Sequence, residues 1–308
     1  MLSRVAENIF WLGRYLERAE DTARLLQATS HVQLDLPKSV RTSWLSLVEV
    51  FGEKALFSDL YEVPDERSVS KFLISDDKNP GSILSSLTMA RENARTIRDI
   101  LPQQAWELIN GIYQYAKDES HRGAYKKHRH DVLEKIVAGT QSISGALYGT
   151  LLHDAGYQFL CMGWHLERAD MTTRIIDIRT AGLIPIDTDQ TVPFENLQWM
   201  SVLKSVSGYE NYRRHTQGPI THKEALSFLF KATSFPRSVG FCLHKIEHCA
   251  WGLKKSKPVI SEIRSSRILI DETNCSQGPK KLHRFIDDLQ KGFHRIDNEI
   301  TKTFFNMY

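Results

Sequence analysis

A chain of 308 residues that is 41% hydrophobic and 25% charged has the balance of an ordinary globular protein, and no apolar run approaches the roughly 20 residues that span a bilayer, which excludes a helical membrane protein. The net charge of +3 comes from acids and bases interleaved along the chain, so there is no single-sign stripe to track a phosphate backbone and a nucleic-acid partner is not expected. Four cysteines without paired spacing exclude a disulfide scaffold and, with an N-terminus that carries no apolar leader, point to a cytoplasmic protein.

In chain order, Val5, Ile9, Leu12, Leu16, Ala19, Ala23 and Leu26 alternate spacings of three and four, the mark of one apolar face on an α-helix. Further helices are expected around 40–60, after the cap residue Asp65, after Asn79-Pro80, and around 102–117 and 129–152. Between the last two, His121-Arg122 and Lys126-Lys127-His128-Arg129-His130 read as a solvated loop and helix start. Ala155, Phe159, Met162, Leu166, Ala169, Thr173 and Ile176 form a second apolar face, with Gly182 as a plausible stop. Helices follow around 193–212, after a capping box of Thr221 and Glu224, and around 235–254 and 279–306. Ile268-Leu269-Ile270 is a short run with ambiguous strand-like alternation, and the loops at 183–193, 214–220 and 271–279 are too short to be flexible linkers. The expected fold class is all-α, a helical bundle.

The two apolar faces belong to a longer repeat. Leu16-Glu17-Arg18-Ala19-Glu20-Asp21-Thr22-Ala23-Arg24 recurs 150 positions later as Leu166-Glu167-Arg168-Ala169-Asp170-Met171-Thr172-Thr173-Arg174. Trp44-Leu45-Ser46 answers to Trp199-Met200-Ser201, and Phe72-Leu73-Ile74 with Pro80-Gly81-Ser82-Ile83 answers to Phe228-Leu229-Phe230 with Pro236-Arg237-Ser238-Val239. The drift of the offset fits insertions in surface loops. Two halves, 1–152 and 153–308, of one ancestral unit are expected to share a core as a pseudo-twofold bundle.

With Leu16 at the centre of the buried face and about 100° per residue, Glu20, Gly13, Arg24 and Ala6 lie at one edge of the stripe, Glu17 and Asp21 come next, and Arg14 and Arg18 lie further round. The second copy carries Asp170, Gly163, Arg174, Gly156 and then Glu167 on that edge, followed by Arg168. Glu20 with Arg24 and Asp170 with Arg174 are four apart with the acid first, the favourable order for a helical ion pair. Two readings compete for this ridge. In one, the segments cross near a pseudo-twofold axis and lock the halves together; in the other, the cluster grips an anionic or zwitterionic ligand, or supplies Glu17 or Glu167 as an acid or base.

The opening Met-Leu-Ser-Arg-Val-Ala, Trp11-x-x-Arg14-Tyr15-x-Glu17-Arg18-Ala19-Glu20-x-Thr22-Ala23-Arg24, its second copy, Asn79-Pro80-x-Ser82-Ile83 with Ala90-Arg91-Glu92-Asn93-Ala94-Arg95, and Phe235-Pro236-Arg237-Ser238-Val239 together resemble the bacterial alpha-E family over nearly the whole chain. By position Glu17-Arg18 and Glu167-Arg168 take the family's Glu-Arg motif. The resemblance implies a cytoplasmic bacterial protein encoded beside or fused to a circularly permuted ATP-grasp ligase, often near a transglutaminase-like peptidase and a proteasome-like amidohydrolase. Such company implies synthesis, attachment or removal of a peptide tag. Arg14 is replaced by Trp164 and Asp21 by Met171 in the second copy, so one ligand site, biased toward the first half, is expected rather than two alike.

Other motifs carry less. His244-Lys245-Ile246-Glu247-His248 has the spacing of a zinc-binding helix, but no third ligand is identifiable, so no metal is expected. Cys249 beside His248 points away from it on a helix and reads as a packed thiol. Neither a phosphate-binding Gly-x-x-x-x-Gly-Lys-Ser/Thr loop nor a strand followed by Gly-x-Gly-x-x-Gly is present, so no nucleotide cofactor is expected. The six tryptophans read mostly as core anchors. The expected function is that of a helical accessory protein partnering an ATP-grasp amide ligase and helping to bind its substrate. The rival is an enzyme acting on peptides or amino acids, with Glu17 or Glu167 moving protons and Arg18 or Arg168 holding a carboxylate.

Overall fold

The computed structural model describes residues 2–35, 43–180 and 195–306, and among these every regular element is helical. The first half runs α1 (Ser3–Asp35), α2 (Leu45–Val50), α3 (Lys54–Leu60), α4 (Glu66–Ile74), α5 (Ile83–Thr96), α6 (Gln103–Glu119) and α7 (Lys126–Thr150). The second runs α8 (Ala155–Thr180), α9 (Glu195–Ser205), α10 (Tyr209–Thr216), α11 (His222–Lys231), α12 (Val239–Trp251), α13 (Lys257–Glu272) and α14 (Pro279–Ile300), the last followed by a π turn, Thr301–Phe305. No helix among the described residues is long and apolar enough to cross a membrane.

The long helices α1 and α8 pack on each other at the centre, with α5 and α7 against α1 and α12 and α14 against α8. The halves also interleave, since α9 packs on α1 and α2 on α8. One continuous cluster of buried apolar side chains runs through both halves, from Ile9, Leu12 and Leu16 to Leu166, Ile246 and Ile296. Because α8 is enclosed by neighbours, both its stripe and much of its remaining circumference are buried. α14 instead keeps one clean face of Leu282, Ile286, Leu289, Phe293, Ile296 and Ile300 at spacings of three and four.

Two glycines bring the central helices together. A Cβ on Gly13 would stand 2.6 Å from the Leu160 carbonyl oxygen, and one on Gly163 would overlap the Phe10 carbonyl oxygen. The backbones touch there, as only glycine allows. Further along, residues 17 and 18 face residues 167 and 168, so contacts advance together along both helices and they run side by side in the same direction.

Several expected elements are corrected. In the span expected at 40–60, the described residues from 43 on form two short helices broken at Gly52, whose φ of +75° lies in the left-handed region that favours glycine. The helix expected at 193–212 breaks likewise among its described residues, 195–212, at Ser207 with φ +50°. Pro80 does not open a helix; Ser82 caps α5 two residues later by accepting a hydrogen bond from the Ser85 amide. Asp65 caps α4 in a reciprocal box with Ser68, whereas Thr221 forms half a box, the Glu224 carboxylate bonding the Thr221 hydroxyl instead of its amide. Ile268-Leu269-Ile270 lies in α13, a helix the sequence pattern did not reveal because its buried stripe passes through the polar Ser266. Gly182 and the 183–193 loop lie outside the described residues.

Candidate functional site

The Glu-Arg segments of α1 and α8 pair crosswise. Arg168 donates to Glu17 through Nε and Nη2, at 2.6 and 2.7 Å, and Arg18 donates to Glu167 through Nε and Nη2, at 2.5 and 3.0 Å. Each buried carboxylate therefore meets the planar fork of the arginine that follows its counterpart, the geometry in which a guanidinium satisfies both oxygens. Arg14 adds a 2.5 Å bond from Nε to Glu167 and a 2.8 Å bond from Nη1 to Asp297 on α14. On the helical wheel Arg14 and Arg18 lie further round than Glu17 and Asp21; their length carries both heads to the seam, with Arg14 over the Trp11 ring and Arg18 over Tyr15.

On the Glu17 side a further arginine closes the cluster. Arg237, in the turn before α12, donates from Nη1 to Glu17 at 2.9 Å and to Asp21, and from Nη2 to Glu20 at 2.6 Å. Arg24 also holds Glu20, at 2.8 and 2.9 Å, and reaches Ser207 at 2.6 Å. On the Glu167 side Arg174 holds Asp170 at 2.8 Å and donates to the Val50 carbonyl at 2.7 Å. All nine residues singled out from the ridge, Arg14, Glu17, Arg18, Glu20, Arg24, Glu167, Arg168, Asp170 and Arg174, thus line one α1–α8 seam. Arg237 and Asp297 were missed as members. The signal for Arg237 was its place one residue before the helix cap Ser238, where the first half has Gly81.

Burial alone would push the Glu17 carboxyl up, but Arg168 and Arg237 outweigh it and hold the carboxyl down to about 2. Glu167 behaves alike: burial opposes ionisation, and Arg18 and Arg14 bring it down to about 2. Asp21 goes the other way. Burial pushes it up to about 7, Arg237 opposes, and the neighbouring charges of Glu17 and Glu20 add to the rise. His165, buried beside the Arg168 cation, is held down at about 3 and is neutral at physiological pH.

The Glu167 side opens into a pocket of about 220 Å³ lined by Arg18, Glu53, Pro80, Gly81, Glu167, Asp170, Met171 and Arg174. Past Arg18 and Pro80, which it shares, lies a broader groove of about 700 Å³ with Tyr15, Leu84, Met89 and Tyr113 on its walls. The mixture of fixed charge and an apolar wall is what recognition of a small polar group requires.

The remaining motifs are absorbed by packing. Glu247 of the His-x-x-Glu-His run is held by Arg264 at 2.8 Å and Arg267 at 2.5 Å, and among the described residues no three His, Cys, Asp or Glu side chains stand where they could share a metal ion. Cys249 is buried. Arg129, expected in a solvated basic run, is instead buried against Glu66 and the carbonyls of Gly123 and Ala124. Of the tryptophans, Trp164 and Trp199 are buried and Trp251 is exposed.

Residues 1–305 match the sequence profile of Alpha-E, described as a predicted alpha-helical domain with a conserved ER motif. The chain belongs to that family. Uncharacterized proteins of Mycobacterium bovis and Mycobacterium tuberculosis are each 24% identical to it over 289 residues, covering 88% of this chain and 32% of theirs. The chain thus spans about a third of the length of the curated relatives it matches. No solved structure matches it.

Proposed function

We propose that this Alpha-E chain is a helical accessory protein of a bacterial peptide-synthesis or peptide-tagging system, cytoplasmic, which docks on a circularly permuted ATP-grasp amide ligase and helps hold its peptide or amino-acid substrate. Its halves are two copies of one ancestral helical unit, and a transglutaminase-like peptidase is a further partner of the system. The single observation that carries the accessory reading is the state of the two motif glutamates. Both oxygens of Glu17 and of Glu167 accept from guanidiniums, and both carboxyls are held at about 2. A general base or acid works best with a pKa near the operating pH and needs a free oxygen within reach of the substrate. These groups have neither. Relatives in which an equivalent region is a third of a longer chain also suit a module that works beside other domains.

Coexpression of the tagged chain with its ATP-grasp ligase tests the reading. The two proteins are expected to copurify, and adding this chain is expected to raise ligase turnover on its substrate. If ligase turnover is unchanged, while this chain alone consumes a candidate peptide and Glu17→Gln abolishes that activity, the accessory reading is wrong.

A further inference from the structure

The turns before α5 and α12 meet the central seam in the same manner, but only one supplies a side chain. Ser238 caps α12 and Ser82 caps α5, each accepting from the amide three residues on. The residue before Ser238 is Arg237, whose guanidinium closes on Glu17, Glu20 and Asp21 of α1. The residue before Ser82 is Gly81. At the same spacing on α8 stand Glu167, Asp170 and Met171, and these three line, with Gly81, the 220 Å³ pocket. A cavity therefore occupies on one side of the seam the place that a guanidinium occupies on the other.

Charge follows the same asymmetry. Around Glu17, three carboxylates (Glu17, Glu20, Asp21) meet three guanidiniums (Arg24, Arg168, Arg237). Around Glu167, the carboxylates of Glu53, Glu167, Asp170 and Asp297 meet only Arg14, Arg18 and Arg174. Among the described residues Glu53 makes no ion pair and no side-chain hydrogen bond. Asp297 and Arg14 lie outside the pocket, whose own lining sets Glu53, Glu167 and Asp170 against Arg18 and Arg174 and is one cation short. An anion entering it would meet three carboxylates and only two guanidiniums, Arg18 and Arg174, which are already paired to Glu167 and Asp170, whereas a planar cation can bridge carboxylates as Arg237 does.

We propose that the pocket beneath Gly81 binds an arginine side chain supplied by a peptide, its guanidinium held by Glu53 and Asp170 beside the already bridged Glu167 and its backbone leaving past Pro80 into the Tyr15–Tyr113 groove. The volume suits this ligand, being below the roughly 300 Å³ at which drug-sized sites begin but ample for one side chain. The inference rests on the accessory reading only in taking that peptide to be the ligase's substrate, and its test needs no ligase, so either can fail alone.

The test is calorimetric titration of the full chain with N-acetylarginine amide, its citrulline counterpart and inorganic phosphate. The arginine probe is expected to bind, the neutral citrulline probe to bind at least about tenfold more weakly, because the site's carboxylates then face no charge, and phosphate not at all. Gly81→Arg is expected to abolish probe binding and raise Tm, since a Cβ there meets only the Asn79 Oδ1 at 3.3 Å and the new side chain can take the position that Arg237 takes opposite. If Gly81→Arg fails to fold, Glu53→Gln decides, with an expected loss of about tenfold in arginine affinity. No arginine binding, equal binding of citrulline, binding of phosphate instead, or affinity unmoved by both substitutions would overturn the proposal.

Discussion

The seam has a closed end and an open end built from nearly the same parts. At the closed end Arg237 spans three carboxylates of α1 and excludes solvent; at the open end α8 presents Glu167 and Asp170, with Met171 in the place of Asp21, and Gly81 leaves a pocket. The forked pairs between α1 and α8 are common to both. The difference teaches that the reciprocal pairs set the packing of the central helices, while the residue before each helix cap decides whether the neighbouring carboxylates are spent on structure or left facing a cavity.

Removing the guanidinium that closes one end should have the largest effect. Arg237→Met leaves Glu17, Glu20 and Asp21 buried with fewer cations than charges, and an unfolding free energy lower by about 3–5 kcal/mol is expected in urea titration. A loss below about 1 kcal/mol would mean that the two ends do not differ as described.

Acid should act next, on both ends alike. Glu17 and Glu167 are depressed in the folded state to about 2 from the ordinary 4.5, so each contributes stability that is full above pH 4.5 and is lost as pH falls toward 2. At about 1.4 kcal/mol per pKa unit this is on the order of 3 kcal/mol for each carboxylate. Tm should therefore drop steeply below pH 4.5, and Glu167→Gln should make that drop shallower. Asp21 has the opposite sign: its folded pKa is raised to about 7 from 3.8, so it erodes stability as pH rises from about 4 to about 7. Asp21→Met, which copies position 171, is expected to gain on the wild type across that window and hold the gain above it. A stability difference independent of pH would contradict the raised pKa of Asp21. The smallest effect belongs to the flanking pairs. Arg174→Ala, which breaks a partly exposed i,i+4 pair with Asp170, should cost only about 0.5–1 kcal/mol.

Much of this architecture was legible in the sequence where physics acts locally. The alternating threes and fours of Ile9 to Leu26 and of Phe159 to Ile176 named both central helices, and Gly13 and Gly163, on the edge that carries the charges, are where the two backbones touch. What failed depended on tertiary context. Gly52 and Ser207 break their helices through positive φ, which no periodicity reports. The α13 stripe runs through Ser266 and so hides from an apolar count. Arg14 and Arg18 belong to the ridge the sequence names, but which carboxylate each reaches does not follow from the wheel, because an arginine head travels several ångströms from its Cα. Arg237 was visible only as one residue of a motif in a turn, because its three partners lie more than 200 positions earlier.

The crosswise pairing of the two Glu-Arg segments is the claim on which the rest depends, and a double-mutant cycle between Glu17→Gln and Arg168→Met measures it. Bidentate pairing at 2.6 and 2.7 Å between a buried carboxylate and a half-buried guanidinium predicts a coupling free energy of about 2–3 kcal/mol. Effects that add to within about 0.5 kcal/mol would contradict it.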